Sequence, residues 1–78
     1  REPRRGLSFR EQREYEALPD EIDALEGELK TLEAAFAEPS HDPDELEERT
    51  KRYHALRDEV AAKTARWEEL AERAERPS

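Results

Sequence analysis

The sequence predicts an all-α fold: an antiparallel two-helix coiled-coil hairpin with a short N-terminal helix kinked at Leu18-Pro19. Three observations predict it. Tyr15, Leu18, Ile22, Leu25, Leu29, Leu32 and Phe36 follow one another at steps of three and four, the a/d spacing of a coiled-coil seam. A second series, Leu46, Tyr53, Val60, Trp67 and Ala74, recurs every seven residues, with Thr50, Leu56, Thr64 and Leu70 in the gaps. Between the two lies Glu38-Pro39-Ser40-His41-Asp42-Pro43, whose prolines interrupt any helix and let the second series fold back on the first.

Composition narrows the alternatives. The chain has 78 residues, of which 46% are charged and 33% apolar, a balance shared by disordered chains and by hairpins that bury one stripe each. The heptad periodicity decides for the hairpin. A domain this small has a marginal core, and two long helices zipped along a seam are one way to enlarge it. Without cysteine there is neither a disulfide framework nor a thiolate metal site. No apolar run is long enough to span a bilayer or to act as a signal peptide, so the expected location is the cytoplasm. The absence of methionine, even at position 1, reads as a piece excised from a longer polypeptide.

In chain order, residues 1–6 lack periodicity and contain Pro3 and Gly6, which reads as a flexible linker arm ahead of a coiled-coil domain over residues 7–76. Ser8 stands three residues before Glu11, a capping box that starts the first helix, residues 9–18. Leu7 and Gln12 occupy the staple positions, but glutamine is not apolar, so no staple is expected. Pro19 lacks an amide proton and disfavours helical geometry in Leu18, so the chain is expected to kink there and restart as a second helix, residues 19–37. Asp20 and Glu21 then suit the positive end of its dipole. The seam spacing passes from Leu18 to Ile22 undisturbed, so both segments face the same partner. Gly27 falls on the outer face, where it weakens the helix by about 1 kcal/mol relative to alanine without opening the seam. Asp42-Pro43-Asp44-Glu45 supplies an N-cap acceptor, a proline at N1 and a glutamate at N3, starting a third helix, residues 43–75.

Register sharpens the expectation. In an antiparallel hairpin the numbers of facing residues add to a constant, and a sum of about 82 pairs apolar with apolar. It sets Phe36 against Leu46, Leu32 against Thr50, Leu29 against Tyr53, Leu25 against Leu56 or Arg57, Ile22 against Val60 and Tyr15 against Trp67. It also brings Leu18 near Thr64 and Phe9 near Ala74. Parallel homodimerisation is the alternative to this monomeric hairpin, and a molecular weight in solution separates them.

Few residues carry chemistry. The many carboxylates lack the cleft that acid–base catalysis needs, and read as a solvated face. His41 and His54 are thirteen positions apart, not at the helical spacing of a zinc pair, and read as surface residues. There is no phosphate-binding glycine loop and no nucleophile in context, so catalysis by this chain itself is not expected. Glu26–Lys30, Glu45–Arg49, Glu47–Lys51, Glu48–Arg52, Glu59–Lys63, Glu69–Arg73 and Glu72–Arg76 are glutamate-first i, i+4 pairs, which support helices and leave little net field for phosphate. The net charge of −8 is uneven: residues 1–13 hold five arginines against Glu2 and Glu11, a net +3, and the remainder carries −11. Only the amino-terminal arm has the sign nucleic acid requires, and Arg4, Arg5, Arg10 and Arg13 are the candidate contacts.

The run Leu7-Ser8-Phe9-Arg10-Glu11-Gln12-Arg13-Glu14-Tyr15-Glu16-Ala17-Leu18-Pro19-Asp20-Glu21-Ile22-Asp23-Ala24-Leu25-Glu26 resembles the opening of the carboxy-terminal domain of ABC-F ATPases of the Uup type. Thr64-Ala65-Arg66-Trp67-Glu68-Glu69-Leu70 is similar to that domain's closing segment. The resemblance implies a coiled-coil hairpin hung by a basic linker behind two ATP-binding cassettes, in a soluble protein acting on ribosomes or translation. It also implies a tail that binds DNA or ribosomal RNA and supports the parent ATPase. Arg10 and Arg13 stand at the family's basic positions and Phe9 at its aromatic one. No Walker or signature motif is present, so ATP and Mg belong to the parent protein and no cofactor is expected here. The arm is short and the body acidic where the family's linker is often lysine-rich. A protein-interaction or spacer element, docking on the ATPase cassettes or on a protein partner, therefore stays open beside nucleic-acid binding.

Overall fold

Ser8 opens the first helix. Its backbone is extended (φ −66°, ψ 168°), its hydroxyl accepts from the Glu11 amide at 3.1 Å, and the Glu11 carboxylate accepts from the Ser8 amide at 3.1 Å. Two amide donors at the helix start are thereby satisfied reciprocally. From there the chain, in a computed structural model that describes residues 6–38 and 42–75, runs as α1 (Phe9–Phe36) and returns as α2 (Pro43–Glu75). The Asp42 carboxylate accepts from the Glu45 amide at 3.3 Å, and the Asp42 carbonyl accepts from Leu46 at 2.9 Å, so α2 starts on the cap its sequence supplies. Ends of α1 tighten: Ala37 donates to the Ala34 carbonyl at 3.1 Å and Glu38 to Ala35 at 3.2 Å. The bend residues 39–41 lie outside the described residues.

The kink expected at Leu18-Pro19 does not divide the first arm. Pro19 lies inside α1, which continues through it for 28 residues. Proline removes the hydrogen bond to the Tyr15 carbonyl, a cost of about 3 kcal/mol in a helix interior. Against that stands burial in the adjacent seam: Leu18 is 3% exposed, and Tyr15 and Ile22 on either side are half-buried. Full burial of such a side chain contributes about 1.5–3 kcal/mol and partial burial a share of that, together enough to keep both segments in one helix. Pro19 itself is exposed, so its ring meets solvent.

Two antiparallel helices form a rod of 64 × 16 × 15 Å, and the seam between them is the core. Leu56 and Leu70 are fully buried, and most other seam residues are half-buried, as two strands alone allow. Tyr15 stacks on Trp67 with ring centroids 5.9 Å apart, the pair the register requires. Near the bend the seam departs from expectation. The Phe36 ring packs edge-on to Tyr53 at 5.8 Å, while Leu46 is 39% exposed and Thr50 is exposed, its hydroxyl donating to the Leu46 carbonyl at 2.8 Å. Side chains lean toward the N-terminus of their own helix. In an antiparallel pair Phe36 and Tyr53 lean toward each other across about two turns, so Phe36 meets Tyr53 although the expected register sets it level with Leu46.

Gly27 lies on the outer face, with open space where a Cβ would stand. Gly6 has φ +66°, a conformation other residues adopt at a cost, and a Cβ there would stand 3.6 Å from the Ala74 backbone and 3.7 Å from the Arg73 carbonyl. Gly6, assigned on sequence to the linker arm, thus passes over the last turn of α2, one turn beyond buried Leu70. Among the described residues no helix is long and apolar enough to cross a membrane.

Candidate nucleic-acid interface

The face that the first turns of α1 present to solvent follows from helical phase. Counting back from Tyr15 and Leu18, the seam positions are Glu11 and Ser8; Phe9, Arg10 and Arg13 fall outside them. Phe9 is 78% exposed, and Arg10 and Arg13 are exposed beside it. The expectation that Phe9 would cover Ala74 is therefore corrected. Its level along the rod is right, but it points about a third of a turn away from α2, and Gly6 takes the place against Ala74. The Arg13 guanidinium instead stands over the Phe9 ring, 5.8 Å from its centroid. Neither Arg10 nor Arg13 has a carboxylate partner among the described residues. Arg4 and Arg5 lie outside the described residues.

The cations of α2 are differently placed. Arg66 holds both Glu14 oxygens, Nε at 2.8 Å and Nη2 at 3.0 Å, and adds Glu69 at 3.3 Å. Arg73 donates to Glu11 at 2.8 Å, Lys63 to Glu21 at 3.0 Å and Arg52 to Glu28 at 2.7 Å. The i, i+4 partners read for Arg52, Lys63 and Arg73 are thus replaced by partners on α1. Among the described residues, Glu45–Arg49 at 3.9 Å and Glu47–Lys51 at 4.0 Å keep that pattern, with Lys51 also reaching Glu48 at 3.9 Å. A signal for the crossing bridges is present in the sequence. Glu14, Glu21 and Glu28 repeat every seven residues, each directly before a seam residue, and Arg52, Glu59, Arg66 and Arg73 repeat in the same phase on α2. Those columns flank the seam and face each other. Where Glu59 interrupts the basic column, Lys63 supplies the cation.

Electrostatics agree with the geometry. Glu11 is held below the usual carboxylate value, chiefly by the Ser8 amide and also by Arg73. Glu14 is lowered by the hydrogen bonds from Arg66. On the other side, Glu28 raises Arg52, Glu21 raises Lys63, and Glu14 raises Arg66. These cations are committed to holding the hairpin closed, whereas Arg10 and Arg13 at the start of α1 have no carboxylate partner among the described residues. Arg57 takes a third role, its guanidinium 5.7 Å from the Tyr53 ring centroid and 3.4 Å from the Tyr53 hydroxyl. His54 packs edge-on to Tyr53 at 5.8 Å, and among the described residues no group of His, Cys, Asp or Glu is arranged to hold a metal ion.

A closed antiparallel helical hairpin whose opening turns expose an aromatic among arginines defines a coiled-coil domain. The chain belongs to the ABC transporter C-terminal domain family, which matches residues 6–72. It is 40% identical over 70 residues to a Haemophilus influenzae protein named ATP-binding protein Uup-like. That match covers 86% of this chain and 15% of the relative. The resemblance to the carboxy-terminal domain of Uup-type ABC-F proteins thus holds on both grounds. No solved structure matches the chain.

Proposed function

We propose that this domain is the nucleic-acid-facing tail of an ABC-F ATPase, gripping phosphate through Arg4, Arg5, Arg10 and Arg13 and supporting the parent's ATP hydrolysis. One observation carries the reading: the cations of α2 are largely bound to carboxylates, while Arg10 and Arg13 stand exposed in the chain's one basic segment with no carboxylate partner among the described residues. Phosphate binding depends on cations whose charge is not already neutralised. The acidic body repels the duplex elsewhere, so contact is confined to this end of the rod.

Few phosphates are engaged, so binding is weak and salt-sensitive. Four arginines correspond to a slope of log K on log salt of roughly −3 to −4, and Arg10→Ala with Arg13→Ala reduces it by about two. Anisotropy of labelled duplex DNA and of a ribosomal RNA helix, titrated with the domain over a salt series, measures both. Absence of binding at low salt rejects the proposal. The rod's 64 Å length supports a second reading, a spacer docking on the parent's cassettes or on a protein partner. ATPase activity restored to a tail-less parent by the added domain, and unchanged by the arginine substitutions, favours that one.

A further inference from the structure

Phe9 is the most exposed large apolar side chain among the described residues, and its position is not forced by a shortage of apolar surface to cover. The seam is beside it, yet the helical phase turns the ring out. Single exposed apolar residues are ordinary on protein surfaces, so exposure alone decides nothing. What distinguishes Phe9 is its company. Arg13 lies over one face of the ring, Arg10 is adjacent in sequence and also exposed, and neither arginine has a carboxylate partner among the described residues. An aromatic face beside unpaired guanidinium groups offers two complementary attachments, a flat surface for a base and positive charge for the neighbouring phosphates. In continuous duplex the bases are stacked on one another and their faces are closed to the ring. In an unpaired strand they are open.

We propose that Phe9, with Arg10 and Arg13, forms a stacking site for a base of unpaired nucleic acid, so that the domain favours single-stranded segments over continuous duplex. This rests on the nucleic-acid reading above and deepens it. Phosphate contact through the arginines supplies the salt-dependent part of binding and occurs on any strand. Stacking on Phe9 supplies a salt-independent part, available only where a base is open, and tolerates any base because each has a π-face. Arg13 covering one face leaves the other for the base and pre-positions the cation.

The test uses the whole chain, wild type and Phe9→Leu, with labelled oligo-dT and oligo-U strands of about 12 nucleotides and a blunt duplex of the same length. Leucine keeps the apolar bulk and removes the π-face; because the site is exposed, helicity by circular dichroism is expected to be unchanged. The expected result is roughly tenfold weaker binding of Phe9→Leu to both unpaired strands, with the salt slope preserved, duplex binding unaltered, and Phe9→Trp restoring the loss. A preference for one strand over the other distinguishes RNA from DNA. If Phe9→Leu binds unpaired strands as well as wild type does, or loses equally on duplex, the stacking site is overturned while the phosphate reading stands. If the wild type binds none of the three, both fall.

Discussion

At the scale of single residues, burial separates the side chains that hold the hairpin from those that do not. Leu56, at 0% exposure, has no water to replace its contacts when truncated. Leu56→Ala is expected to cost about 2–5 kcal/mol. At roughly 4–8 °C per kcal/mol for a domain of this size, that lowers Tm by more than about 10 °C. Phe9→Ala, a change of greater volume, is expected to stay within about 0.5 kcal/mol because the ring is already in water. Thermal unfolding followed by circular dichroism measures both, and equal shifts for the two contradict the burial pattern. The series of apolar residues at heptad spacing was sufficient to name Leu56 as a seam residue. It could not rank Leu56 above Tyr15 or Trp67, because ranking depends on how far each side chain sinks, and those two rings remain half-buried while stacked on each other.

At the scale of the helix, Pro19 tests local preference against packing. Sequence rules place a boundary there, since proline has no amide proton and restricts the residue before it. The continuous α1 shows that the seam, with Leu18 buried and Ile22 one turn on, overrides that preference. Local signals were reliable where nothing opposed them, at the Ser8–Glu11 box and the Asp42 cap, and failed where a tertiary contact competed. If the helix tolerates a missing hydrogen bond at Pro19, supplying the bond stabilises it. Pro19→Ala restores a donor for the Tyr15 carbonyl, a gain of up to about 3 kcal/mol. Greater freedom of the unfolded chain offsets about 0.4–1 kcal/mol of it. A net rise in Tm of several degrees is expected; a fall would mean that proline is favourable at this site. The charged columns flanking the seam are legible in the same sense, as heptad repeats of Glu14, Glu21 and Glu28, although the same cations also stand at helix-local i, i+4 spacing from other glutamates. Phe9 was recognisable as aromatic among arginines, whereas its exposure required the phase of α1 to be fixed relative to Gly6 and α2.

At the scale of the whole molecule, the two helices are fastened by bridges along their length, and the pH response of the fastening has a definite sign. Glu11 and Glu14 have folded-state values below the ordinary 4.5. Their contribution is fully present above the ordinary value and is lost as pH falls through the depressed one. Lys63, raised above 10.5 by Glu21, behaves oppositely: its contribution is intact below 10.5 and is lost as pH rises through the higher folded value. Acid also has a competing effect, because protonation relieves the self-repulsion of a chain with net charge −8. The Tm of the wild type alone therefore mixes the two, and comparison with Glu14→Gln isolates the bridge. Glutamine keeps the size of the side chain and removes the charge that Arg66 holds. At neutral pH the variant is expected to melt below wild type, and the gap closes as pH falls below the ordinary 4.5 and through the depressed folded value, because the wild-type carboxylate is neutralised too. A gap that stays constant over that interval means that Glu14 carries no charge-dependent bond to Arg66.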